Sequence, residues 1–287
     1  MVVRRFSIIY NGLIRGFKYD DVIQTHCDKL WCPLEKAGIK YDIFLVTNKA
    51  EYDTEAVKKI PNLKKVLILD VAEIKASDMF RRVSQALSFG CWKCRQPSAF
   101  QNYVVSILNK AWFIQQIDDT YDRYLSMDIA QSIDRLEPSM LLSLEGIYSP
   151  GWGCNLGHND RLLIGDYRTT CMYNSIADYI LNREKITLFN PECLVEEMFK
   201  ASGIQVEQPE SLRVTRVRGD GSRPADKPDA AAKTMEQVHE LVRKLAAQST
   251  NPRPVARGGV KRVKMTRGQF QRLQRRRYHL LRGRWGH

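Results

Sequence analysis

The chain has no G-x-G-x-x-G, no G-x-x-x-x-G-K-[ST] and no G-x-S-x-G. These absences exclude the glycine-rich dinucleotide turn, the P-loop and the hydrolase nucleophile elbow, and leave phosphate binding to basic side chains and metal. No stretch reaches the roughly 18 consecutive apolar residues that a membrane span needs, since even Tyr103 to Ile117 is cut by Ser106, Asn109 and Lys110. Cysteine is sparse and odd in number, seven at irregular spacing, which makes a poor disulfide framework and points to a reducing, intracellular setting. Acidic residues stop altogether at Glu240.

That last absence organises the charge. The formal net charge is +13, from 45 Lys plus Arg against 32 Asp plus Glu. Residues 261–287, KRVKMTRGQFQRLQRRRYHLLRGRWGH, hold ten basic side chains and no acid, so the remainder carries only +3, that is +13 less 10. The ten are Lys261, Arg262, Lys264, Arg267, Arg272, Arg275, Arg276, Arg277, Arg282 and Arg284. A segregated block of this kind implies a tail with its own polyanionic partner rather than a uniformly basic surface. Interleaved Phe270, Tyr278, His279 and Trp285 suit phosphate neutralisation combined with stacking on bases, so nucleic acid, RNA in particular, is the expected partner. An anionic membrane surface or an acidic protein is the alternative, because Phe270, Leu273, Leu280 and Leu281 partly share a helical face.

The expected organisation is an α/β domain over 1–218, a linker over 219–232 (GDGSRPADKPDAAA), a short amphipathic helix over 233–248 and a second linker over 249–260 before the tail. The amino-terminal segment has four basic residues and no acid before Asp20, which fits either an organellar presequence or a first buried strand.

Short β-branched and aromatic runs recur at Phe6 to Tyr10, Tyr41 to Thr47, Lys65 to Asp70 and Tyr121 to Met127. Helical periodicity fills the gaps at Val22 to Leu34, Glu73 to Leu87 and Phe100 to Ile117. The alternation predicts a mostly parallel, Rossmann-like sheet with helices on both faces. Leu162 to Gly165, a helix over Thr169 to Leu181 and another over Pro191 to Ala201 capped by Asn190 continue it, with edge strands at Ile204 to Val206 and Leu212 to Val217.

Ligands of such sheets bind beyond the carboxyl ends of the strands. There the sequence places Asn11 and Gly12, Thr47 and Asn48, Asp70, and Asp128, all of which are also ordinary turn residues. His158-Asn159-Asp160-Arg161 precedes another strand and is less readily a turn. Asp128 could hold a divalent cation, or simply cap a turn. Cys91-Trp92-Lys93-Cys94 has the spacing of a zinc half-site or a redox dithiol, but no second pair accompanies it.

Taken in order, IIYNGLIRGFKY, YDIFLVT, YDRYLSMD, NDRLLIG, NPECLVEEMFKASGIQV and RVTRVRGDG resemble glycosyltransferase-like proteins of the GT-A type. Proteins of this kind occur in large DNA viruses of algae and in bacterial polysaccharide clusters. The resemblance spans about residues 4–221. It implies a nucleoside-diphosphate-sugar site in which Asn11, Gly12, Arg15, Lys110 and Asn159 bind substrate. In it Asp128 would hold Mg²⁺ or Mn²⁺, Arg161 would assist the leaving diphosphate, and Asp160 would act as general base. Ser126 and Met127 stand where the family has Arg and Pro. Two outcomes follow: an active transferase with a cationic tail, or an inactive domain serving as a structural part of a ribonucleoprotein or virion, in the cytoplasm or another nucleic-acid-rich assembly.

Overall fold

The computed structural model describes residues 3–89, 96–151, 157–183, 186–188 and 190–223. The chain divides into two compact units, Met1–Gln248 and Ser249–His287. The second unit, the basic tail, the amphipathic helix expected over 233–248 and the Cys91–Cys94 pair all lie outside the described residues.

Nine strands are present among the described residues: β1 (Arg5–Asn11), β2 (Lys40–Asn48), β3 (Leu63–Leu69), β4 (Leu87–Phe89), β5 (Arg123–Asp128), β6 (Gln131–Arg135), β7 (Leu162–Gly165), β8 (Ile186–Leu188) and β9 (Arg213–Arg216). Five form the main sheet in the order β3-β2-β1-β5-β7. All of its pairings are parallel except β5 with β7. The fold is α/β and Rossmann-like.

Side-chain alternation along each strand divides the core into two layers. On one face Phe6, Ile8 and Tyr10 of β1 join Ile43, Leu45, Leu125 and Met127 beneath Val22, Leu30, Trp31 and Leu34. On the other, Ile9, Phe44, Val46 and Tyr124 pack against Phe113 and Ile114. These come from the long helix Pro97–Ile114, whose remaining apolar residues build a further core with the helices Ile176–Leu181 and Pro191–Ala201. Helices thus cover both faces, as the strand-helix alternation predicts. No described helix is long and apolar enough to cross a membrane.

Several expected helices are broken by local chemistry. The segment expected over Val22 to Leu34 contains a π-helical turn, Cys27–Trp31, between Asp20–His26 and Cys32–Lys36, and the Cys27 and Cys32 sulfurs lie 3.0 Å apart as free thiols. Glu73 to Leu87 splits at Ser77, whose hydroxyl accepts from the Phe80 N–H and starts a new helix, Asp78–Ala86. Ser175 likewise separates Tyr167–Asn174 from Ile176–Leu181. Ile204 to Val206 is not a strand; only Glu207 makes a bridge, to Tyr148. The strand expected at Leu212 to Val217 is β9, and it pairs antiparallel with β6 in a separate two-stranded sheet.

Residues 219–223, at the start of the expected linker, turn back onto the domain. The Tyr19 hydroxyl donates to the Gly219 carbonyl at 2.7 Å, and Arg223 pairs with Asp21.

Candidate functional site

The chain runs outward from β1 through β2 to β3 and then crosses to the other side of β1 to form β5. The order therefore reverses between β1 and β5, and the carboxyl ends of these strands diverge around a crevice there. Asn11 and Asp128 end the two strands and are register partners. A cleft of about 1090 Å³ opens at this point.

Its walls collect most of the residues singled out in the sequence. Asn11, Gly12, Arg15, Asn48, Asp128, Asp160 and Arg161 all line it. Gly12 has φ of +109°, a conformation that L side chains rarely adopt, and its N–H donates to the Val46 carbonyl at 2.9 Å. A glycine here lets β1 end abruptly beside the Asp128 carboxylate. Asp160 and Arg161 reach the same end because β7 is antiparallel: it begins where β5 stops, and the Asp128 N–H donates to the Arg161 carbonyl at 2.8 Å. Gly157 makes the approach possible, since any Cβ there would collide with the Glu192 backbone.

Lys110 and Asn159 fall outside the cleft lining. Lys110 is buried, with 8% of its surface exposed. Its ammonium donates to the Asp160 carbonyl at 3.1 Å and lies over the Tyr173 ring, 5.1 Å from the centroid. It supports Asp160 from behind. The Asn159 side chain accepts from the Arg161 N–H at 2.9 Å and shapes the turn that presents Asp160. His158 points away, 3.0 Å from Glu196 and edge-on to Phe199. Of the strand-end residues, Asp70 caps the helix Val71–Ala76 through the Ala72 N–H.

Burial raises the Asp128 carboxyl above the ordinary carboxylate range; Lys110 opposes this, Asp160 adds to it, and Arg216 and Arg161 oppose it further. The Tyr103 hydroxyl, also at the cleft, is raised well above its ordinary value by burial and then by Asp160 and Glu192, so the phenol is neutral.

Two residues of the lining carry buried amides with no hydrogen-bond partner. Asn11 is 0% exposed and Gln131 1%, and neither the oxygen nor the nitrogen of either side chain is paired. Buried amides are normally bonded, because leaving one unsatisfied costs about 1–3 kcal/mol. Such groups mark a surface prepared for a ligand with its own donors and acceptors. A third amide, Asn109 on the helix Pro97–Ile114, contacts Asn48 at 3.4 Å and keeps its oxygen unpaired.

Gln131 and Arg216 are site residues that the sequence did not disclose. Gln131 is placed by a chain of bonds: Trp31 Nε1 donates to the Tyr10 hydroxyl at 3.2 Å, that hydroxyl meets His26 Nδ1 at 2.7 Å, and His26 Nε2 meets the Gln131 carbonyl at 2.8 Å. Burial holds the His26 imidazole down at about 4, with the Gln131 carbonyl opposing the shift, so the ring is neutral at physiological pH. Among the described residues no group of three or more His, Cys, Asp or Glu side chains could hold a metal ion. A Mg²⁺ site completed by substrate phosphates needs only one or two carboxylates, and Asp128 and Asp160 meet that lesser requirement.

No protein-family model matches the chain, and no curated protein matches it. Among solved structures, it is similar to apo mouse xyloside xylosyltransferase 1, at 8% identity and TM-score 0.39, over 72% of this chain and 84% of that one. It is also similar to the CTP:phosphocholine cytidylyltransferase of Streptococcus pneumoniae, at 10% identity and TM-score 0.42, over 84% of this chain and 99% of that one. A third is the inositol-1-phosphate CTP transferase of T. maritima, at 11% identity and TM-score 0.37, over 84% and 96%. At these values the overlap is one of partial topology, and the activity of this chain has to be read from its own residues.

Proposed function

We propose that the cleft binds a nucleoside-diphosphate sugar and transfers the sugar to a hydroxyl acceptor. The observation that carries this is the pair of buried, unpartnered amides, Asn11 and Gln131, at the topological switch point of a Rossmann-like sheet. Asn11 and the Gly12 backbone would face the nucleotide, and Arg15 and Arg161 the diphosphate. Asp160, its backbone fixed by Lys110, would take the acceptor proton. A Mg²⁺ or Mn²⁺ ion, held by Asp128 and substrate oxygens, would offset the charge of the departing diphosphate.

Calorimetric titration with UDP-, GDP- and CDP-linked sugars in Mn²⁺ tests this. We expect saturable binding of at least one donor and at least tenfold weaker binding by Asp128→Asn. Absence of binding to every donor by the wild-type chain overturns the proposal.

A second possibility, donor binding without transfer, draws on the strand leading to Asp128. Ser126 there is fully buried and donates to Asn174 Oδ1 at 3.0 Å, and Met127 is core. Neither supplies the cation that the family resemblance implies at this place. Release of free sugar or glycosylated acceptor in the same samples decides between the two.

For the tail, the proposal rests on its ten cations and aromatic interleaving. RNA affinity of the full chain is expected to fall steeply with salt, and a version ending at Arg257 is expected to lose that dependence; equal binding by both refutes it.

A further inference from the structure

Three guanidinium groups from separate parts of the chain meet at the cleft: Arg15 after β1, Arg161 before β7 and Arg216 at the end of β9. The third lies outside the main sheet. β9 pairs with β6 so that Arg216 stands opposite Gln131, whose unpartnered amide lies in the same cleft. The chain just beyond is pinned through Gly219 to Tyr19 and through Arg223 to Asp21, so β9 is held against the loop that carries Arg15. Arg216 is exposed and forms no ion pair among the described residues; the charge it bears upon is Asp128. Arg15 is partly buried, and its Nε has no hydrogen-bond partner.

These cations share the cleft with Asp128, Asp160, Glu51 and Glu192, so simple excess of positive charge does not define a ligand. Geometry does. A guanidinium presents a planar fork of donors that matches phosphate oxygens two at a time, and several forks around one cavity suit a ligand with more than one phosphate. The described residues offer no preformed cage for a metal, and the permanent positive charge of the lining is carried by arginine.

We propose that Arg216, together with Arg15 and Arg161, forms a diphosphate-binding site that captures its anion without a divalent cation. This rests on the reading of the cleft as a nucleotide site and adds to it a residue and a metal-independent first step.

The test is calorimetry of the full chain with inorganic pyrophosphate in EDTA, for wild type, Arg216→Gln and Arg218→Gln. Arg218 is an exposed cation of the same segment that does not line the cleft. The basic tail is present in all three, so any pyrophosphate it takes up is common to them. Expected are binding by wild type, a loss of about tenfold or more in Arg216→Gln, and a change of less than about twofold in Arg218→Gln. The proposal is overturned by binding that appears only with Mg²⁺ or Mn²⁺, by equal affinity of wild type and Arg216→Gln, or by equal losses in the two variants. Should nucleotide sugars bind while Arg216→Gln is unaffected, this inference alone fails. Should no nucleotide, nucleotide sugar or pyrophosphate bind with or without Mn²⁺, the nucleotide reading fails with it.

Discussion

At the amino ends of the parallel strands, Asp122 accepts from the Arg4 and Arg5 N–H groups at 2.8 and 2.9 Å. Asp42 there accepts from the Tyr121 hydroxyl at 2.6 Å and from Lys64 at 3.1 Å, with Arg5 and Lys64 over the Tyr121 ring. At the carboxyl ends, Asn11, Thr47, Gln131 and Asn109 keep buried polar atoms unpaired. Ser7 Oγ and Arg123 Nε are unpaired toward the other end, so the division is strong but incomplete. The difference teaches where the fold is finished and where it waits. One rim has satisfied its groups with one another; the other holds them for something that is not protein.

The largest effect that bears on this comparison comes from His26, the paired network directly beneath the unpaired rim. Its folded-state value of about 4 lies below the ordinary 6.5, so below pH 6.5 the unfolded chain binds more protons than the folded one. The stabilisation is complete above about 6.5 and is lost as pH falls toward about 4, amounting to about 3 kcal/mol. Denaturant titrations across this window, wild type minus His26→Gln, measure it. A flat difference would mean that His26 is no part of the support under the cleft.

A smaller and more direct test sets the two rims against each other. Asp122→Ala removes the acceptor of two backbone bonds and is expected to cost about 1.5 kcal/mol with nucleotide binding unchanged. Thr47→Val replaces a fully buried, unpaired hydroxyl by a methyl group of the same size and is expected to raise stability by about 1 kcal/mol. If both substitutions destabilise equally in urea titrations, the contrast between the rims is not energetic.

The main sheet was legible because β1, β2 and β5 are buried runs with period-two alternation, and the long helix repeats apolar residues at helical spacing. Asp128, Asp160 and Arg161 were legible as strand-end positions, since a sheet of this type confines ligand contacts to one edge. β6 was not: Gln-Ser-Ile-Asp-Arg has one apolar residue and becomes a strand only through its tertiary pairing with β9. Gln131 and Arg216 were hidden with it, because an amide and an exposed arginine on polar strands look like surface. Lys110 shows the opposite problem. A lysine midway along a helix gives no local sign that its ammonium will find a carbonyl from a distant loop.

The reversal of β7 has one more consequence. Because the Asp128 N–H bonds the Arg161 carbonyl, residues 129–160 leave the sheet and return to the point they left, closing on a single hydrogen bond. Loop entropy grows only slowly with length, so this excursion can be lengthened, shortened or exchanged without moving Asp128 relative to Asp160. The wall carrying Gln131 can therefore be remodelled to suit a new ligand while the two carboxylates keep their spacing, which makes the excursion the natural place to graft a different specificity.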